Sequence, residues 1–389
     1  ADSQLIYYQW NPVSSPVTNN LNQIYNVASN YIIAGNDGKL LYRLYQQPVW
    51  NVAVSGVTVN LNSLYGQSVL FSAGASGVIL KSTDNGINWS SVSSPTTNNI
   101  NSISAFISPN YKLICTDGGK IFTSTNNGVN WTEIPSGTTS SLRSIYYNSS
   151  VSQFRNYICG DNGTFLKLVY LLPLPPATTV IPINTGVTNN LYGVTALGDT
   201  SKIMVVGSGG MILKSTESGG TWVQQTSGTT NTLRFVYAVN SNEIFVGGDN
   251  GTILRTTNGG TNWFPQVVNS SANIYSMLQT PDLKALAVGS GGTILETNLP
   301  NPINDSTIKR IKLDGNNISS YFQTSGIFNQ NTTNGNSAGF EWPKGSGKYA
   351  MFTSGLSISA LVNGNLRQAM CSFRGEYWPG QIIGGVPKT

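Results

Sequence analysis

The sequence predicts an all-β fold: a seven-bladed β-propeller closed by the N-terminal strand and followed by a small β-rich C-terminal module. Three observations lead there. A polar turn ending in tryptophan returns at intervals of roughly 40 residues, a period typical of propeller blades. A glycine that ends a short turn recurs seven times, at Gly38, Gly77, Gly119, Gly163, Gly210, Gly251 and Gly292. The two ends of the array are broken in complementary ways.

The fifth unit shows the strands most plainly. Leu191 to Ala196 reads as a first strand and Ile203 to Val206 as a second. Gly207-Ser208-Gly209-Gly210 makes a tight turn, because glycine supplies the positive φ that hairpin turns require. Met211 to Lys214 is the third strand, and a polar turn leads to Trp222–Gln225 as the fourth. Short strands bounded by Gly, Asn, Ser and Thr clusters are the pattern of an all-β repeat. The seventh unit, from about Ile274 to Thr297, has three strands and then stops. The chain begins with Tyr7 to Asn20, which resembles the fourth-strand stretch Asn88 to Asn99. A ring in which the first strand completes the last blade satisfies both ends and hides the strand edges of an open array.

The units are not equal. The first has Tyr42-Arg43-Leu44-Tyr45-Gln46-Gln47-Pro48 where the polar turn belongs, although Trp50 remains. The fourth has Leu166 to Pro176, with neither the turn nor a tryptophan. Its prolines imply an irregular or edge segment. Leu171, Leu172 and Leu174, with Tyr45 of the first unit, are the candidate contact surface, since an outward apolar patch marks an interaction site. Residues 1–298 form the propeller and 299–389 the C-terminal module. In that module Leu356–Val362 and Leu366–Phe373 flank Asn363-Gly364, a strong hairpin signal. The opening Ala1-Asp2-Ser3-Gln4 is compatible with the mature end left by a signal peptidase. The close at Val386-Pro387-Lys388-Thr389 leads us to expect a longer natural polypeptide.

Composition narrows the chemistry. Of 389 residues only 10% are charged and none is histidine. That removes the commonest general base and metal ligand. The net charge of +5 is spread thinly, with one short cluster at Lys309, Arg310 and Lys312, so nucleic acid is not an expected partner. No apolar run reaches the roughly 20 residues of a membrane span. Three cysteines do not make a disulfide framework. Cys115 and Cys159 occupy equivalent places in neighbouring units and read as small buried hydrophobes. Four turns carry aspartate near glycine, at Asp37, Asp117, Asp161 and Asp249. Oxygen ligands suit calcium, but aspartate is the expected residue of tight turns for backbone reasons alone, so no metal or other cofactor is expected.

Ser82-Thr83-Asp84-Asn85-Gly86-Ile87-Asn88-Trp89 resembles the Asp-box (BNR) repeat, with Asp84, Gly86 and Trp89 as its marks. Its copies keep Gly128 and Trp131, Trp222, and Trp263, but place Asn126, Glu217 and Asn258 at the aspartate. The longer pattern from Gly247 to Gly260 is similar to the repeats of photosystem II stability/assembly-factor propellers and their secreted relatives. The C-terminal stretches Phe340 to Gly345 and Tyr377 to Gly380 resemble modules of large secreted Bacteroidota-type surface proteins, which implies an extracellular, cell-surface address.

Sialidase-like glycosidases also carry Asp-boxes, and that resemblance would imply an arginine cluster, a tyrosine nucleophile and an acid/base aspartate. Arg143 and Arg234 sit at equivalent points of first strands, which line a propeller's axis, and Tyr146 follows; these three are the candidate axial-channel residues. A third equivalent arginine is absent, and paired carboxylates for two-carboxylate hydrolysis are scarce. The expectation is therefore a non-enzymatic, secreted structural or adhesion protein whose partners are proteins, copies of itself included. Surface glycans are a second class of partner, and the alternatives are a glycan-binding module or an assembly-factor-like chaperone of a membrane complex.

Overall fold

The computed structural model describes residues 9–297, except 28–29, 45–46, 106–110, 149–154, 172–176, 198 and 281–283, and beyond residue 297 only the backbone of the strands. The chain divides into two units. The larger spans Tyr8–Leu299 and is a seven-bladed β-propeller built of antiparallel sheets. In the smaller, Ile308–Leu313, Gly355–Val362 and Asn365–Ser372 share a sheet with Asn316–Asn317, and Val362 pairs with Asn365 across the hairpin.

Six blades are four-stranded meanders in chain order. The fifth runs Leu191–Leu197, Asp199–Gly207, Met211–Ser215 and Trp222–Gln224. The seventh is completed from the other end of the chain. Gln9–Val13 pairs antiparallel with Ile294–Thr297, with Asn11 opposite Glu296, and on its far side touches Val267 and Val268 in parallel.

Each second-to-third-strand hairpin turns through two residues of positive φ, the geometry that suits the strands' right-handed twist. In blade 5 these are Gly209 and Gly210, at 69° and 71°. A Cβ on Gly210 would lie 1.9 Å from the carbonyl oxygen of Thr229 in the loop leading to the next blade. That loop is itself fixed, because the Ser227 hydroxyl donates to the same Thr229 oxygen at 3.1 Å.

The Asp-box turns are closed by side chains acting on backbone. Gly86 N–H donates to Ser82 Oγ at 3.0 Å, and Asn88 N–H donates to Asp84 Oδ1 at 2.9 Å. In blade 3 Asn126 accepts from Asn130 N–H at 2.8 Å, and in blade 6 Asn258 accepts from Asn262 N–H at 3.0 Å. An amide oxygen does the work of the carboxylate. Glu217 takes a different bond, from the Thr221 hydroxyl at 2.9 Å.

The tryptophan that ends each turn lies between blades. Trp10 is fully buried with Phe245 and Ile253 of blade 6, and Trp50 is buried with Leu286 and Val288 of blade 7. Trp263 packs with Met204 and Ile212 of blade 5, and Trp222 meets Phe165 of blade 4 edge-on, with ring centroids 5.0 Å apart. Trp89 and Trp131 pack in the same way against the blade preceding their own. Burying such rings removes large apolar areas from water and makes the interblade layers the core.

Blade 1 replaces the box with a charge. Arg43 stands where five of the other six blades place a serine or threonine (Ser82, Ser124, Ser215, Thr256, Thr297); blade 4 has Leu168 there. It is 7% exposed, lies 4.9 Å from the Trp50 ring and 5.2 Å from Tyr31, and donates to Glu296 of blade 7 at 3.2 Å. Lys284 reaches the other oxygen of Glu296 at 3.0 Å.

Candidate functional site

The innermost strands are Leu21–Val27, Leu61–Gly66, Ile100–Ala105, Leu142–Asn148, Leu191–Leu197, Leu233–Ala238 and Ile274–Gln279. Every one of them breaks register against its neighbour just after the first residue. A bulge leaves one residue unpaired and re-aims its side chain. The seven residues at the break are Asn22, Asn62, Asn101, Arg143, Tyr192, Arg234 and Tyr275. All line one cavity of about 530 Å³ on the propeller axis.

The ring has two halves. In blades 1 to 3 the asparagine amides stitch blades together: Asn22 donates to the carbonyl of Leu61 at 2.9 Å, Asn62 to Ile100 at 3.0 Å and Asn101 to Leu142 at 2.8 Å. In blades 4 to 7 arginine alternates with tyrosine. The Arg143 guanidinium forks onto Asp161, at 2.9 and 2.5 Å, and touches Asp117 at 3.4 Å. The Arg234 guanidinium forks onto Asp249, at 2.5 and 3.1 Å, and lies between the rings of Tyr192 and Tyr275, 5.6 and 5.5 Å from their centroids.

These partners shift the groups in consistent directions. The bonds that Arg143 donates to the Asp161 carboxylate raise the pKa of Arg143. Burial works against the charge of Arg234, but the Asp249 bonds outweigh it and its pKa also rises. Burial likewise opposes ionisation of Asp117, yet donors from Asn101, Asn99 and Ser141 hold its pKa below the usual carboxylate range.

One step deeper, the next side chains on these strands serve the fold. Gln23, Ser63, Ser102 and Ser276 each accept a backbone N–H from the following blade, of Leu64, Ile103, Ile145 and Ile24 respectively. The mouth residues are the part of the channel wall where side chains differ most in kind from blade to blade: three amides that also bond the next blade, two guanidinium groups and two phenols.

Of the residues singled out from sequence, Arg143 and Arg234 line the cavity. Tyr146 is not among its lining residues and packs beside the layer containing Tyr157. Asn22, Asn62, Asn101, Tyr192 and Tyr275 were not predicted. Their signal is a column: each follows the Leu or Ile that opens a first strand. Leu172, Leu174 and Tyr45 lie outside the described residues, and Leu171 ends the third strand of blade 4. Three of the four turn aspartates hold the ring, and Asp37 accepts from Asn19 at 2.7 Å. Among the described residues no group of three or more Cys, Asp or Glu could hold a metal ion, and no helix is long and apolar enough to cross a membrane. Cys115 and Cys159 are buried free thiols, and burial pushes both thiols' pKa up.

A closed ring of seven blades with Asp-box turns on the outside and a bulge-built polar mouth on the axis defines the class: a BNR-type β-propeller. The chain belongs to the family described as photosynthesis system II assembly factor YCF48, whose model matches residues 10–298. No curated protein matches the chain. Among solved structures it is similar to YCF48 from Cyanidioschyzon merolae, with a TM-score of 0.62 and 18% identity over 75% of this chain and 99% of that one. It is also similar to the protein in "YCF48 bound to D1 peptide", with a TM-score of 0.63 and 17% identity over 77% and 98%. The WD40 propeller domain of Doa1 superimposes at 0.59 with 13% identity over 75% and 96%. These likenesses are of fold.

Family membership overturns the expectation of a structural or adhesive protein. That expectation rested on richness in Asn, Ser, Thr and Gly with little charge. The structure gives these residues another occupation: they close box turns, interblade loops and hairpins through side-chain bonds to backbone, which is turn chemistry and not an adhesive surface.

Proposed function

We propose that this chain is a non-catalytic assembly-factor propeller that binds a segment of a subunit of a membrane complex. The observation that carries the reading is the match of the assembly-factor family to nearly the whole propeller, residues 10–298. The channel mouth supports it. Carboxylates there are held by arginine or amide donors, an arrangement for binding rather than proton transfer. One solved structure of this fold is of YCF48 bound to D1 peptide, so a peptide segment is the expected form of ligand. The test is isothermal titration of the D1 peptide into the full chain, with a pull-down from membranes of the source organism. Saturable one-to-one binding and a single stoichiometric partner are expected. A folded chain that binds neither peptide nor any membrane subunit would refute the reading.

A further inference from the structure

The charge balance at the mouth points to an uncharged ligand. Only Arg143 and Arg234 carry charge among the residues lining the cavity, and behind them stand Asp117, Asp161 and Asp249. Two cations against three carboxylates leave no net positive field for an acidic segment. The geometry agrees. An incoming carboxylate is gripped best by the planar fork of a guanidinium. In both arginines the fork of Nε and Nη2 is already occupied by an aspartate.

The neighbouring groups offer neutral chemistry. The Nδ2 atoms of Asn22, Asn62 and Asn101 donate to backbone carbonyls, which leaves their Oδ1 atoms as acceptors. Tyr192 and Tyr275 stack on Arg234, and among the described residues their hydroxyls make no hydrogen bond. Acceptors on one arc and phenol donors on the other match the N–H and C=O groups of a peptide turn. A volume of about 530 Å³ is in the usual range for small-ligand sites and admits the tip of a segment, not a folded element.

We propose that the partner segment enters this mouth as an uncharged turn read through its backbone by Asn22, Asn62, Asn101, Tyr192 and Tyr275, and that Arg143 and Arg234 are positioning residues. This rests on the assembly-factor reading above. Arg234 fixes the two tyrosine rings by stacking, and Asp249 fixes Arg234. Arg143, tied to Asp161 and Asp117, holds the mouth between the amide arc and Tyr192.

The test uses the full chain and the D1 peptide, together with a version of that peptide in which every Asp and Glu is replaced by Asn or Gln and the C-terminus is amidated. Both peptides should bind within about threefold of each other, and between about 50 and 500 mM NaCl the affinity should change by no more than that, because no net charge is neutralised. Tyr192→Phe with Tyr275→Phe keeps the stack and removes only the hydroxyls; it should weaken binding about tenfold, as two lost hydrogen bonds imply. Arg234→Lys keeps the charge but loses the planar stack, and should weaken binding to a similar extent without introducing salt dependence. Tenfold weaker binding by the neutralised peptide or at high salt would overturn the proposal in favour of an arginine clamp. Unchanged binding by the double tyrosine variant would place the ligand elsewhere while leaving the assembly-factor reading intact. No binding of either peptide by the folded wild-type chain would remove both.

Discussion

The outer turns and the inner mouth of this propeller are both repeated features, and they repeat in opposite ways. On the rim, side chains converge on one mechanical task. Asp84, Asn126 and Asn258 differ in charge, yet each accepts the same backbone N–H four residues on. At the mouth the backbone converges and the side chains part company. Seven bulges occur at one place, but they present three amides, two guanidinium groups and two phenols. A repeat whose side chains all do one job is maintaining the fold. A repeat whose backbone is constant while its side chains diverge is a scaffold for recognition.

That contrast can be broken at its strongest point first. Gly210 holds a positive φ, and a Cβ there would sit 1.9 Å from Thr229 O. Gly210→Val should cost more than about 4 kcal/mol in urea unfolding, among the largest effects of any single change; a loss under 1 kcal/mol would show that the loop yields. Trp10→Ala strikes the closure strand and empties the layer between blades 6 and 7. It should lose about 3–5 kcal/mol, read as a lower Tm with an unchanged urea m-value.

Smaller effects sharpen the comparison. Arg43→Met removes a charge stacked on Trp50 and paired with Glu296, and should cost about 2 kcal/mol. Arg43→Ser should not rescue it, because blade 1 lacks the rest of the box; recovery of wild-type Tm would show that a serine alone suffices. Asp84→Asn should stay within about 0.5 kcal/mol at pH 7, since Asn126 and Asn258 already do that job. Its signature is in acid. The Asn88 N–H, aided by side-chain bonds, holds the Asp84 carboxyl below its ordinary pKa. The stability that the ionised group contributes is therefore present above the unfolded-state pKa of about 4 and is lost as pH falls through the lower folded value. Thermal melts from pH 6 to 2 should show a shallower decline for Asp84→Asn than for wild type; parallel curves would refute that contribution.

Much of the rim was legible from sequence because its rules are local. Gly210 and its six counterparts mark hairpins that depend on φ at neighbouring residues, and Trp10 beside a three-stranded seventh unit announces the closure. The mouth was legible only in part. Arg143 and Arg234 stood out as charges in equivalent places. Tyr192 and Tyr275 did not, since a bulge adds one residue to a strand and upsets the alternation by which facing is judged. Arg43 was hidden for a related reason: it stands at the box-serine position of a blade that has lost the box, so no motif drew attention to it. Composition misled most, because Asn, Ser and Thr that bond to their own backbone look the same in a sequence as Asn, Ser and Thr offered to a partner.

The pairing of Asn11 with Glu296 also orders events in time. During synthesis the strand Gln9–Val13 emerges first, yet its partner Ile294–Thr297 emerges last among the propeller strands. Earlier blades can form their own hairpins, whose contacts are local, while this strand waits. The final step joins the most distant contacts in the ring and so carries the largest loop-closure cost. Until then Trp10 has no seventh blade to enter, and the interface it shares with Phe245 is an exposed apolar seam. Only a complete circuit of blades brings Ile294–Thr297 to the strand that carries Trp10, and so covers the seam.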